Sequence, residues 1–168
     1  MLGLDPGLSR CGYAVIEPGP RGTARARALG VLTTPTDQGI PERLAELQRD
    51  LRSLFDDHAP AAVAVERVLF QVNVRTAMGV GQASGLAMAE AANRGCEVVQ
   101  YSPNEVKQAV TGYGAATKRQ VQLMVQTLLG LAELPSPPDA ADAAALALCH
   151  LATAPLREAA ARAGGGAR

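Results

Sequence analysis

The opening stretch, Leu2-Gly3-Leu4-Asp5-Pro6-Gly7-Leu8-Ser9-Arg10-Cys11-Gly12-Tyr13-Ala14-Val15-Ile16, constrains the fold more than any other. A short apolar run ends in one carboxylate, Pro-Gly turns the chain, and a second apolar run returns. The pattern predicts a hairpin that carries an acid on its inner strand. An Asp buried there is costly unless a metal ion, a cation or several donors offset its charge. Asp before Pro-Gly is equally ordinary turn chemistry. The two readings separate only if further carboxylates arrive at comparable places along the chain.

A chain of 168 residues, 48% of them hydrophobic, suffices for one domain with a sizeable core. Only 3% are aromatic, so Ala, Val and Leu must build that core, which favours close backbone approach. Cys11, Cys96 and Cys149 lie far apart without a Cys-x-x-Cys pair, which argues against a zinc site or disulfide framework and for reduced thiols in a cytoplasmic protein. No apolar run approaches the ~20 residues of a membrane span. Net charge is zero, and the whole-chain balance does not announce a nucleic-acid partner. Between residues 67 and 131, however, six basic residues face three acidic ones, and the only lysines of the chain, Lys107 and Lys118, lie in that half.

The remaining elements follow from periodicity. Residues 23–32 predict an edge strand with Arg25 and Arg27 facing water. Leu44, Leu47, Leu51, Leu54 and Phe55 recur at helical spacing over 42–58, with Pro41 in the first turn. Residues 61–65 form a continuous apolar run, as in a strand buried on both faces, and it stops at Glu66. Glu66 is either a surface residue past the strand end or a second acid at the end of a buried strand. An irregular loop, 67–73, follows. Residues 75–94 predict a helix dense in Gly, Ala and Ser, packed tightly on the sheet or between the sheet and a partner subunit. After a short strand over 96–101, Ser102-Pro103-Asn104-Glu105 spells a capping box. A second helix begins near Thr117, with Lys118 and Arg119 at its positive end, where they are either screened by solvent or form a phosphate site with free N–H groups. A rigid proline linker, 135–138, leads to the last helix. Asp139 and Asp142 open it as capping residues or as a pair of acids aimed at the sheet. No Asp, Glu, Lys or Arg lies between Asp142 and Arg157, so that helix is expected to be buried, with His150 a core or surface residue. The domain is expected to span 1–154, with 155–168 a disordered tail.

Four carboxylates brought together would repel one another unless divalent cations bound among them, and all-oxygen ligation suits magnesium or manganese. Two such ions support in-line phosphoryl displacement, which is nuclease chemistry. Asp5-Pro-Gly-Leu-Ser-Arg-Cys-Gly-Tyr, Val-Glu66, Gly81-Gln82-Ala83-Ser84-Gly85, Lys107-Gln108-Ala109-Val110-Thr111-Gly112, Lys118-Arg119-Gln120-Val121-Gln122 and Asp139-Ala-Ala-Asp142-Ala, in this order, resemble the bacterial Holliday junction resolvases of the RuvC family. The resemblance implies an α/β, ribonuclease H-like fold with a mixed five-stranded sheet flanked by helices. It also implies a homodimer that cuts four-way DNA junctions by magnesium-dependent paired nicks in strands of like polarity, leaving 5′-phosphate and 3′-hydroxyl ends, in concert with RuvA and RuvB. By position, Asp5, Glu66, Asp139 and Asp142 would be the catalytic acids holding two Mg2+ per subunit, with Mn2+ as a substitute. Lys107, Lys118 and Arg119 would contact DNA, and Leu69 or Phe70 would meet the crossover. Two other classes share parts of this pattern: a nucleotide-binding ATPase of the actin and Hsp70 type, and a non-catalytic junction-binding scaffold.

Overall fold

Large and small side chains alternate along the first strands, and that alternation decides which helix lies on which face. In the computed structural model, which describes residues 1–68 and 74–164, β1 (Leu2–Asp5) pairs antiparallel with β2 (Arg10–Pro18), Asp5 opposite Gly12. The predicted hairpin is therefore present. After a short 3-10 turn, Pro20–Gly22, β3 (Ala24–Thr33) pairs antiparallel with β2 and forms the sheet edge, with Arg25 and Arg27 exposed as expected. Helix α1 (Ile40–His58) carries the chain across to β4 (Ala62–Glu66), parallel to β1. Helix α2 (Val74–Asn93) returns it to β5 (Glu97–Tyr101), parallel to β4. The order β3-β2-β1-β4-β5 makes the expected mixed five-stranded sheet.

Leu2, Leu4, Val15, Val63 and Val65 point to one face, where Leu47, Leu51, Leu54 and Phe55 of α1 and Ala83, Ala87 and Ala91 of α2 cover them. The opposite face presents smaller groups, including Ala14 and Ala64, to α3 (Pro103–Thr111), α4 (Lys118–Leu129) and α5 (Pro138–Gly164). Two glycines bring α5 unusually close. A Cβ on Gly3 would overlap the Ala143 carbonyl, and one on Gly12 would overlap the Asp139 carbonyl. The Ala-rich face of α5 thus rests almost directly on the sheet backbone, and residues 140–150, except Asp142, are buried. The uncharged run up to Arg157 foretold that burial.

Two boundaries differ from expectation. Helix α5 starts at Pro138, so Asp139 lies in its first turn and is not its N-cap. The helix also continues through Pro155 to Gly164, ten residues into the segment expected to be a disordered tail. Proline removes one backbone donor at that point, but the Ala-rich residues after it are strong helix formers and Arg157 reaches Glu97 at 3.8 Å. Residues 165–168 of that tail, and 69–73 of the loop with Leu69 and Phe70, lie outside the described residues. Cys11, Cys96 and Cys149 are free thiols. Among the described residues no helix is long and apolar enough to cross a membrane.

The helices on the α1/α2 face are locked by one buried acid. Glu90 of α2, 4% exposed, accepts hydrogen bonds from Gln48 Nε2 at 2.5 Å, Arg52 Nε at 3.1 Å and Arg94 Nη1 at 2.7 Å. Arg94 also bonds Asp56 and stacks over the Phe55 ring at 5.1 Å. Chiefly through Arg52, these donors hold the Glu90 carboxyl at about 2, well below the ordinary 4.5. A carboxyl depressed on folding contributes stability above its unfolded value and loses it as pH falls toward its folded value. Glu90→Ala is therefore expected to cost ~2–4 kcal/mol at pH 7 and to flatten the acid limb of stability between pH 4.5 and 2, as read by urea titration at several pH values. Gly12→Ala should cost ~1–3 kcal/mol by overpacking, with Gly12→Val costing more, because α5 must lift off β2; urea midpoints check this.

Candidate functional site

Asp5 and Glu66 meet because β1 and β4 are adjacent and parallel. Leu4 is in register with Val65, so the residues that follow them emerge side by side at one end of the sheet. Both are partly buried and near enough for each to shift the other's carboxyl. Gly12, opposite Asp5, is the point where the first turn of α5 touches β2, which carries Asp139 and Asp142 to the same end. Three segments distant in sequence thus converge through strand register and one missing side chain.

The electrostatics record that convergence. Burial raises the Asp5 carboxyl from 3.8 to about 7, with further upward pushes from Glu66, Asp142 and Asp139. Burial also raises Glu66, as does Asp142, while the hydrogen bond from Asp5 and the nearby Lys118 partly offset this. At neutral pH the Asp5–Glu66 pair is therefore short of positive charge and retains a proton for much of the time. The outer two acids have found cations. Arg10 donates from Nε (3.1 Å) and Nη2 (2.8 Å) to Asp139 Oδ2, which lowers the Asp139 carboxyl. Lys118 Nζ lies 2.5 Å from Asp142 Oδ2, and this hydrogen bond raises the Lys118 ammonium.

A cleft of about 450 Å³ opens on this end of the sheet, lined by Asp5, Glu66, Asp142, Lys107 and Lys118 over an apolar floor that includes Val106, Val121 and Leu146. Helix α3 presents Lys107, and its capping box forms as predicted: Ser102 accepts from the Glu105 N–H and Glu105 accepts from the Ser102 N–H. Helix α4 opens on a second box at Thr117 and Gln120, which occupies part of the helix N-terminus where the sequence suggested free N–H groups. Asp139 stands at the rim, within electrostatic reach of Asp5 but outside the cleft lining. Arg119 is exposed and does not line the cleft. His150 is a core residue, its Nδ1 3.1 Å from the Tyr101 hydroxyl. Arg10 was legible only as part of the hairpin. It precedes Gly12 by two residues in a strand, hence shares its face, and that alternation is the signal that aims it at α5.

As they stand, no three His, Cys, Asp or Glu side chains among the described residues already surround a common point for a metal ion. The donor set nevertheless fits one. All four groups are carboxylates, suited to hard divalent cations, and burial raises the carboxyls of the inner two, Asp5 and Glu66. The other two, Asp139 and Asp142, with side-chain exposures of 30% and 29%, are paired with Arg10 and Lys118.

Comparison with known proteins agrees with this architecture. Residues 1–150 match the family model described as crossover junction endodeoxyribonuclease RuvC. A crossover junction endodeoxyribonuclease RuvC of Saccharopolyspora erythraea is 49% identical over 156 residues, 93% of this chain and 78% of that protein. A RuvC of Corynebacterium jeikeium is 46% identical over 92% of this chain and 95% of its own length. The structure of Thermus thermophilus RuvC in complex with a Holliday junction superposes with a TM-score of 0.86 at 36% identity, covering 91% of this chain and 93% of that one. The yeast mitochondrial resolvase Ydc2, at 14% identity and a TM-score of 0.63, shares the fold. Sheet order, site and sequence together establish the ribonuclease H-like α/β fold, and the chain belongs to the RuvC family of crossover junction endodeoxyribonucleases.

Proposed function

We infer that this protein is a structure-selective endonuclease that resolves four-way (Holliday) DNA junctions by divalent-metal-dependent paired nicks in strands of like polarity, in homologous recombination and DNA repair. The observation that carries the reading is the gathering of Asp5, Glu66 and Asp142, with Asp139 at the rim, on a lysine-walled cleft in a chain of this family. Asp5, Glu66, Asp139 and Asp142 are the catalytic acids in this reading, and together they would hold two Mg2+ per subunit, with Mn2+ as a substitute. Ions of this kind, when bound, neutralise charge on the attacking water and on the leaving oxygen.

The protein's own groups do the rest. Asp5 and Glu66 sit on the ends of rigid strands, so their oxygens hold position at the scissile phosphate while the proton they share is given up. Lys107 and Lys118 reach the non-bridging phosphate oxygens, Lys118 by exchanging Asp142 for the phosphate. Arg119 meets the DNA backbone farther out, and Leu69 or Phe70, three and four positions beyond Glu66 in the sequence, contacts the crossover. Water attacks phosphorus in line with the P–O3′ bond. That bond breaks, the oxygen takes a proton, and 5′-phosphate and 3′-hydroxyl ends remain.

The rest of the assembly is proposed on the same basis. Met78 on the outward face of α2 is 60% exposed, and Gly81 and Gly85 face open space. A second copy of the helix could approach closely there, as a homodimer with two sites for two strands requires. RuvA and RuvB are the proposed partners in the cytoplasm. Neither the ATPase nor the non-catalytic scaffold is favoured by the family match or by the intact set of acids.

Asp5→Asn and Glu66→Gln are each expected to reduce cleavage of a labelled four-way junction by at least ~10³-fold while leaving junction binding in EDTA within a few-fold of wild type; near wild-type cutting by either variant would contradict the assignment. Because the Asp5 carboxyl is raised on folding, this group binds its proton more tightly in the folded, metal-free protein, and its contribution to stability falls as pH rises from 3.8 toward 7. Metal-free Asp5→Asn should therefore melt above wild type at pH 8, by no more than about 4 kcal/mol equivalent, and the two should converge near pH 4.

A further inference from the structure

Asp139 and Asp142 hold their cations in unlike ways. Lys118 belongs to the lysine pair that lines the cleft, whereas Arg10, which is not part of that lining, reaches Asp139 from the β1–β2 hairpin. Both Arg10 donors, Nε at 3.1 Å and Nη2 at 2.8 Å, converge on a single oxygen, Asp139 Oδ2, and leave Oδ1 free of the guanidinium. The Arg10 side chain is 48% exposed. It also lines a neighbouring, mostly apolar groove of about 700 Å³, in which Ser9, Arg43 and Gln82 are the other polar residues and Met78 is shared with the face of α2 offered to a second copy.

The backbone that carries Arg10 is braced, so any movement belongs to the side chain. Thr34 Oγ1 donates to the Leu8 carbonyl at 2.6 Å, and the Thr34 N–H donates to the Ser9 carbonyl at 3.3 Å. Arg43 donates from Nε to Thr34 Oγ1 at 3.0 Å and from Nη2 to Ser9 Oγ at 2.6 Å. A fixed hairpin thus holds a long cation at the boundary between an anionic cleft and a groove with a second arginine. A half-exposed ion pair of this kind is worth little by itself and so is readily exchanged.

We propose that Arg10 is a positioning residue for the nuclease reaction: it holds Asp139 as a temporary counter-ion until a divalent cation takes that carboxylate, and it then turns its guanidinium to a backbone phosphate of the bound strand in the adjoining groove. Lys118 differs because its exchange with Asp142 takes place inside the cleft. Arg10 couples the cleft to the groove beside it, so metal loading and strand capture reinforce one another. A guanidinium suits this task because its planar fork matches carboxylate and phosphate alike. This role rests on the metal-binding reading of the four acids.

The test uses the full chain as wild type, Asp5→Asn, Arg10→Met and Arg10→Lys, with melting curves to verify the fold of each. Calorimetric titration with Mn2+ and no DNA comes first. Removing the competing charge should tighten Mn2+ binding to Arg10→Met ~3- to 10-fold, while Arg10→Lys, which keeps the charge, stays within about twofold of wild type. Junction binding by fluorescence anisotropy comes second. Arg10→Met should lose affinity several-fold more in Ca2+, where the arginine is released to phosphate, than in EDTA, where Asp139 retains it. Unchanged or weaker Mn2+ binding by Arg10→Met, or an equal loss of DNA affinity in both buffers, overturns the proposal. If wild type binds Mn2+ and Asp5→Asn does not, such a result removes only the role of Arg10; if wild type itself binds none, the reading of the acids falls with it.

Discussion

Two carboxylates forced together at the end of a sheet are the constraint on which the rest depends. Asp5 and Glu66 terminate adjacent parallel strands, and the β1–β4 register holds their backbones side by side. Burial and mutual repulsion then raise the Asp5 carboxyl to about 7, a state that stability alone gives a fold no reason to keep. The same geometry is useful once positive charge is delivered to it. Instability of the empty site and usefulness of the loaded one are two descriptions of a single electrostatic fact.

The remainder of the chain brings the outer acids to that point without adding a second deep penalty. Gly3 and Gly12 let α5 lie against the sheet backbone, and alanine along α5 permits the same approach from the other side. Asp142 arrives in the cleft lining and Asp139 at the rim, where water still reaches them and where Lys118 and Arg10 pair with them. The inner pair is thus rigid and short of cations, and the outer pair is adaptable and supplied with them. Such a division suits a site that must take in both metal and a strand of DNA. The α1/α2 face has the opposite character: Glu90 is saturated by three donors and serves as a fixed clamp.

Much of this was legible in the sequence because it rests on strand alternation and helix caps, which are local. The hairpin, the edge arginines, the buried strand ending in Glu66, the capping box at Ser102 and the uncharged length of α5 follow from residue patterns within a turn or two. The position of Asp139 in the first turn of α5 did not, since an Asp after a proline run reads equally well as the cap. Nor did the continuation of α5 past Pro155, because the penalty for one lost hydrogen bond is offset by alanines that follow it. Arg10 was hidden for a different reason: its partner is 129 residues away, and only the contact between Gly12 and α5 brings them together. Glu90 and its clamp were likewise silent, since Gln48, Arg52 and Arg94 look like surface residues until α1 and α2 are set side by side.

The measurement that bears most directly on the central claim is a carbon-13 NMR titration of the Asp5 side-chain carboxyl, metal-free and then saturated with Mg2+. Metal-free, the carboxyl should titrate near 7, far above the ordinary 3.8; with Mg2+ its midpoint should fall to or below the ordinary carboxylate range. A carboxyl that titrates near 3.8 without metal and is unmoved by Mg2+ would contradict the account.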